Sequence, residues 1–427
     1  VSPPGSQRTQ PPGRRWPRDE PTGLFANLIL QETERRGIRL PGSGAAPLAG
    51  LDYGLETELK DGALRRFWRQ HALPGRPRPL IGSPRPRHYR TTSKRRCRPG
   101  AAGGADRKRG RTGIFFEGDE AALLEPREHR LIFASLEEWL AEPLFARLAR
   151  ALHFIIIRGT YAEFMVIFNF HAMDREVNRL LLKIAVRLRA LPANVISAFV
   201  FIDPGRSPYY LEIDRPRSAF RIKRLFGPQR FRLALGPVVF SVPPTSFSQV
   251  NESMLPLLLG KAREALAGGS GRRLLDLYCG YGLFTLSLSD RFEEIIAIDA
   301  APDAVRAGRE QLASTATADP AAGRARVFFK AMTISHGNLV TALPPPLAPG
   351  EEDVILDPPR RGVDAAVVRS IAGRRPGRIV HLFCAIEELP RALGSWRQCG
   401  YFVRSVVPLD MFAGTPQLET LVLLSRP

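Results

Sequence analysis

Cysteine is scarce in this chain, and long apolar runs are missing altogether. Only Cys97, Cys279, Cys384 and Cys399 occur among 427 residues, each far from the others. That spacing lacks the close ligand pairs of zinc ribbons and iron–sulfur clusters, so no metal or cluster is expected. It also argues against a disulfide framework and favours a reducing, cytoplasmic setting. No apolar stretch approaches the roughly 18 residues that a membrane helix needs, so no membrane contact is expected. Acidic residues are in deficit, with 42 Asp and Glu against 62 Lys and Arg, a net charge of +20. Such a surplus suits a polyanionic partner better than a membrane or an acidic protein.

The surplus is concentrated at one end. Residues 1–113 carry 24 Lys and Arg against 9 Asp and Glu, together with 14 of the 38 prolines. Residues 1–22 read as a solvated Pro/Arg-rich tail. A transit peptide is disfavoured by Asp19 and Glu20 and by the lack of an amphipathic run. The chain begins at Val1 rather than Met, so an incomplete start is expected. Helical periodicity in LFANLILQETERRG and ALRRFWRQ suggests a small helical lead-in within residues 1–73.

Residues 74–239 read as a central basic α+β domain. It opens on a Pro/Gly-punctuated, strongly basic segment, 74–113, with RPRHYRTTSKRRCRPG at its centre. Arginine and an aromatic such as Tyr89 supply phosphate contact and base stacking, although a solvated loop has the same composition. A helix is expected over 129–151, then a hairpin of HFIIIRG and AEFMVIFNF turning near Gly159. A helix over 174–191, the strand VISAFVFI and a meander to Val239 follow. Layers of this kind can dock RNA, but they host many functions.

From Phe240 to the end, β and α segments alternate with short turns, which predicts a doubly wound parallel sheet. The stretch LLDLYCGYGLFTLSLSDRFEEIIAID, Leu274–Asp299, reads as strand, glycine turn, helix and second strand. Further strands end at Asp357 and Cys384. YFVRSVVPLD and QLETLVLLS can close the sheet as an antiparallel hairpin. Ligands of such sheets sit at the carboxyl ends of strands, where Tyr278, Asp299, Asp357 and Cys384 all fall.

A dinucleotide fingerprint needs three glycines, and Gly280 and Gly282 are followed by Thr285 at the third position. The phosphate cradle is therefore incomplete. S-adenosylmethionine, which carries an adenosyl group and no phosphate, fits better than NAD or FAD. Asp299 would hold the ribose hydroxyls, with Tyr278 against the ligand. In LDPPRRGVD the two prolines make Asp357 the start of a rigid shelf. Cys384 by itself reads as a small core residue. Beside a methyl donor, and with Glu419 on the closing hairpin, it suits methylation at carbon 5 of a pyrimidine. A thiolate adds at carbon 6, which makes carbon 5 nucleophilic, and a base then removes the carbon 5 proton so that the thiol can leave. Cys279 reads as packing.

On SFSQVN (246–251), LLDLYCGYGLFTL (274–286), AIDAAPDAV (297–305), LDPPRRGVD (356–364), the Cys384 strand and DMFAGTPQLETLVLL (410–424), residues 240–427 resemble the RNA 5-methyluridine methyltransferase family. HYRTTSKRR (88–96) resembles, more weakly, the segment that opens the family's RNA-facing domain. The resemblance implies a Rossmann-like class I S-adenosylmethionine-dependent methyltransferase domain acting on tRNA or rRNA. It implies that Gln249, Tyr278, Gly280, Asp299 and Asp357 contact the cofactor or the target base. Cys384 would be the nucleophile and Glu419 the general base. The sequence departs from the family at Phe383-Cys384-Ala385-Ile386, where Ser-Cys-Asn-Pro is usual, and at Leu283, often small or polar. An N-terminal oligonucleotide-binding barrel is not recognisable, and no protein partner is indicated. Methylation of another base or nitrogen, or RNA binding without turnover, are the alternatives. Removal of 74–113 is expected to abolish RNA binding and to spare S-adenosylmethionine binding.

Overall fold

The computed structural model describes residues 24–40, 46–101, 112–117, 123–203, 221–318 and 325–427. The tail reading of residues 1–22 lies outside them. Two helices open the chain, α1 (Leu24–Arg35) and α2 (Tyr53–Gln70), the second capped by Asp52, whose side chain accepts from the Leu55 N–H at 3.1 Å. Strands β1 (Thr92–Ala101) and β2 (Thr112–Glu117) follow, then α3 (Arg127–Leu140), α4 (Ala146–Ala151), β3 (Leu152–Gly159) and β4 (Phe164–Phe170). The crossover helix α5 (Arg175–Arg189) leads to β5 (Val195–Ile202) and β6 (Arg221–Phe226). These strands form a six-stranded sheet in the order β2-β1-β3-β4-β5-β6.

Two readings are corrected here. The basic segment around residue 95 is a strand, not a loop. Ser93, Arg95 and Cys97 are buried on one face, and Arg95 forms an ion pair with the equally buried Glu125. The helix expected over 129–151 is interrupted after Leu140, with a tight turn at Pro143–Phe145, because proline has no N–H to donate within a helix.

A hairpin of β7 (Phe231–Leu235) and β8 (Val238–Val242) spans the junction at residues 239 and 240. The rest alternates: α6 (Leu255–Leu266), β9 (Arg273–Leu277), α7 (Leu283–Ser287), β10 (Glu294–Asp299), α8 (Pro302–Ala318) and β11 (Arg326–Ala331). Then come α9 (His336–Ala342), β12 (Glu352–Leu356), α10 (Ala365–Gly373), β13 (Arg378–Phe383), α11 (Leu389–Gln398), β14 (Phe402–Leu409) and β15 (Glu419–Ser425). The second sheet runs β11-β10-β9-β12-β13-β15-β14, parallel as far as β13, with β15 antiparallel to both its neighbours.

Its strands are apolar on both faces, as a doubly covered sheet requires. Leu274, Ile295, Ile355 and Val380 join one core with α6, the β7–β8 hairpin and the six-stranded sheet. Leu275, Ile296, Val354 and Ile379 join the other with α10 and α11. Phe25, Leu28, Leu64, Phe67 and Trp68 belong to that second core, so α1 and α2 are layered on the doubly wound sheet. No helix among the described residues is long and apolar enough to cross a membrane.

Candidate active site

The glycine turn after β9 is built from backbone that most side chains disfavour. Tyr278, Gly280 and Gly282 have φ of 66°, 56° and 90°. A Cβ on Gly280 would meet nothing within 4 Å, so the turn faces open space. The Gly280 N–H donates to Asp299 Oδ2 at 2.9 Å, and the Ala301 N–H donates to Asp299 Oδ1 at 2.7 Å. Both carboxylate oxygens are thereby aimed. Tyr278 stands half-buried at the same edge. This open turn, with an oriented carboxylate and no third glycine, fits an adenosyl group.

Thr285, at the position where a dinucleotide site has glycine, donates its hydroxyl to Asp276 within β9. Burial pushes Asp276 up to about 7, against the lowering effect of Thr285. The sequence reading passed over Asp276, whose signal was an acid inside the apolar run LLDLY. Cys279 and Leu283 both lie in the apolar core.

Asp357 follows the last residue of β12 and is anchored by its N–H to the Leu277 carbonyl at 3.3 Å. The Gln249 amide donates to it at 3.4 Å, a long contact. Burial, then the charges of Asp276 and Asp299, push Asp357 up to about 7. The structure thus brings Gln249 to Asp357 and Gly280 to Asp299.

The strand register determines the remaining pair. Phe383 of β13 faces Thr420 of β15 in an antiparallel ladder. One step further along that register, Cys384 faces Glu419, where opposite Cβ atoms lie about 5 Å apart. Glu419 is fully buried, and neither of its carboxylate oxygens has a hydrogen-bond partner among the described residues. Burial, and then the charge of Asp357, hold it well above the usual carboxylate range. The half-buried Cys384 thiol contacts the Pro358 carbonyl at 3.8 Å. Burial pushes it up to about 12; Glu419 and Asp357 add to the shift and Arg360 opposes it. A shallow cleft opens beside the thiol, between the Pro358–Gly362 shelf and Phe383–Ala385. Ile386 is buried in the core, so the turn after the cysteine carries packing where the family usually has polar groups.

A doubly wound sheet with this edge is the fold of class I methyltransferases. Residues 229–427 match the model of the tRNA (Uracil-5-)-methyltransferase family. Among similar proteins is the 23S rRNA (uracil(1939)-C(5))-methyltransferase RlmD of Salmonella typhimurium, 34% identical over 43% of this chain and 40% of the relative. An uncharacterized RNA methyltransferase of Bacillus cereus is 27% identical over 47% of this chain and 42% of its own length. The chain therefore spans less than half the length of the curated relatives it matches. The crystal structure of Pyrococcus abyssi tRNA (uracil-54, C5)-methyltransferase in complex with S-adenosyl-L-homocysteine superposes with a TM-score of 0.64. It covers 89% of this chain and 84% of that one at 21% identity, a likeness of fold.

Proposed function

We propose that this protein transfers a methyl group from S-adenosylmethionine to carbon 5 of a uridine in RNA, through a covalent adduct on Cys384. The observation that carries the reading is that the β13–β15 ladder ends at Phe383 and Thr420, next to Cys384 and Glu419, and that the charges of Glu419 and Asp357 both act on the Cys384 thiol. Gly280, Tyr278 and Asp299 would hold the cofactor, and Gln249 and Asp357 would orient the base. The cofactor, when bound, supplies an electrophilic methyl group.

The chain's own work is nucleophilic and basic. Cys384 gives up its proton and its sulfur bonds to carbon 6 of uracil, which leaves carbon 5 electron-rich. After carbon 5 has gained the methyl group, Glu419 takes the carbon 5 proton. The electrons of that C–H bond form the carbon 5–carbon 6 double bond as the carbon–sulfur bond breaks. The base must first be swung out of its stack, at a cost of a few kcal/mol. We assign the compensating phosphate contacts to the basic 74–239 region, with residues 1–73 as lead-in and 240–427 as the methyltransferase domain.

RNA made with 5-fluorouridine tests the reaction, because fluorine at carbon 5 cannot leave as a proton. Incubated with S-adenosylmethionine, the wild-type protein is expected to form a stable protein–RNA adduct and Cys384→Ala none. Methyl transfer to another base without an adduct would put the reaction elsewhere. RNA binding without either would make the protein a binder.

A further inference from the structure

The proposed reaction leaves a buried lysine unexplained. Lys60 lies on α2, and its side chain is fully buried. Its Nζ reaches Asp410 Oδ1 at 2.7 Å, Glu56 Oε1 at 2.9 Å and the Phe412 carbonyl at 3.2 Å. Two of these partners lie in the turn between β14 and β15, about 350 residues along the chain. Neighbouring residues grip the same turn. The Tyr53 hydroxyl donates to Asp410 Oδ2 at 3.0 Å, the Gly414 N–H donates to Glu56, and the Tyr89 hydroxyl donates to the Ala413 carbonyl at 2.9 Å. Arg87 lies 2.9 Å from the second Glu56 oxygen, so two cations balance two carboxylates in the cluster.

The turn is next to the base. Leu409 faces Glu419 in the β14–β15 ladder, and Asp410 is the residue after Leu409. Asn251, two residues beyond Gln249, donates to the Met411 carbonyl at 3.3 Å and to Ser83 Oγ at 3.0 Å, which ties the SFSQVN segment to the same turn. Among the described residues Glu419 itself has no hydrogen bond to aim it. Its direction therefore depends on the strand end that carries it.

We infer that Lys60, with Glu56 and Tyr53, is a positioning residue for Glu419, holding the Asp410–Gly414 turn so that the carboxylate meets the carbon 5 proton. The assignment rests on the proposed reaction and concerns its last step. Adduct formation uses Cys384, which follows the last residue of β13 and is carried by a different segment from the turn. Loosening the turn should therefore slow release of the methylated RNA and leave adduct formation alone. A displacement of about 1 Å can cost roughly 100-fold in rate.

The test uses the full chain, unmodified tRNA and 23S rRNA transcripts, the same transcripts made with 5-fluorouridine, and S-adenosylmethionine labelled in its methyl group. Lys60→Met is expected to trap 5-fluorouridine RNA at the wild-type rate. With ordinary transcripts its turnover is expected to fall between about 10-fold and 100-fold, with labelled RNA left attached to the protein in denaturing gels, as in Glu419→Gln. Tyr53→Phe removes one hydroxyl and no charge, and should show the same split in smaller measure. It decides the matter if Lys60→Met does not fold. Wild-type turnover in the folded variants, or equal loss of trapping and turnover, would overturn the assignment. A wild-type protein that traps nothing fails the reaction itself, and the role of Lys60 with it.

Discussion

At Cys384 and Glu419 the resting protonation states oppose the chemistry. The thiol is pushed up to about 12 and the carboxyl is held well above its usual range, both chiefly by burial. Each must ionise to act, so a raised pKa leaves less of the active form at neutral pH. Adduct formation on 5-fluorouridine RNA should therefore accelerate as pH rises from 6 to 9, without a plateau below 8. A rate independent of pH over that range would show that the thiol is ionised when RNA binds. Glu419→Gln should still form the adduct but fail to release methylated RNA. Asp276 carries a second pH signature. Its folded value of about 7 lies above the ordinary 3.8 of an aspartate, so the native state keeps a proton that the unfolded chain gives up. The associated stability is present below pH 4 and is lost as pH rises through 7, about 4 kcal/mol in all. Asp276→Asn keeps the acceptor for Thr285 and removes the titration. Its melting temperature relative to wild type should therefore climb between pH 4 and 8, and a constant difference would contradict the shift.

Among elements, the glycine turn separates a folding role from a binding one. Ala at Gly282 would hold φ of 90° and place its Cβ 2.8 Å from the Phe329 ring. Gly282→Ala should lower the melting temperature, with at least the roughly 1–2 kcal/mol that the left-handed region costs an L-residue. Gly280→Ala carries the same left-handed cost at φ of 56° but meets no clash, so it should destabilise less than Gly282→Ala while costing more affinity for S-adenosylmethionine. Calorimetric titration and melting of both variants distinguish the two. The turn itself was legible because glycine spacing and strand ends are local properties. So was the antiparallel β14–β15 hairpin, because both segments are long enough to pair; that β15 rather than β14 lies beside β13 was not. The strand β1 was not. Its buried Arg95 needs Glu125, 30 residues away, and a basic run looks solvated until that partner is known. Lys60 was hidden for a related reason. Glu56 and Lys60 are spaced four apart, as an exposed helical ion pair would be, and their burial makes sense only with distant partners such as Asp410 and Gly414.

Over the whole molecule, the charge surplus has a surface to act from. The helices α3, α4 and α5 cover one face of the six-stranded sheet, through Ile155, Ile157, Val166 and Phe168. The other face packs on the methyltransferase sheet through Ile156, Met165, Ile167 and Phe199. Lys94 and Arg96 of β1 are paired with Ile156 and Phe154, so they stand on that second face, on the same side as the catalytic sheet. Removing 74–113 would delete β1 and both of its ladders, and so would test folding rather than RNA contact. Charge removal is the cleaner experiment. Lys94→Ser with Arg96→Ser should weaken RNA binding at low salt and leave S-adenosylmethionine affinity unchanged. If each contacts one phosphate, the slope of log affinity against log salt should become shallower by about 1.4, from roughly 0.7 per contact on single strands. Parallel slopes for variant and wild type would move the RNA path off this face, to another part of the basic surface.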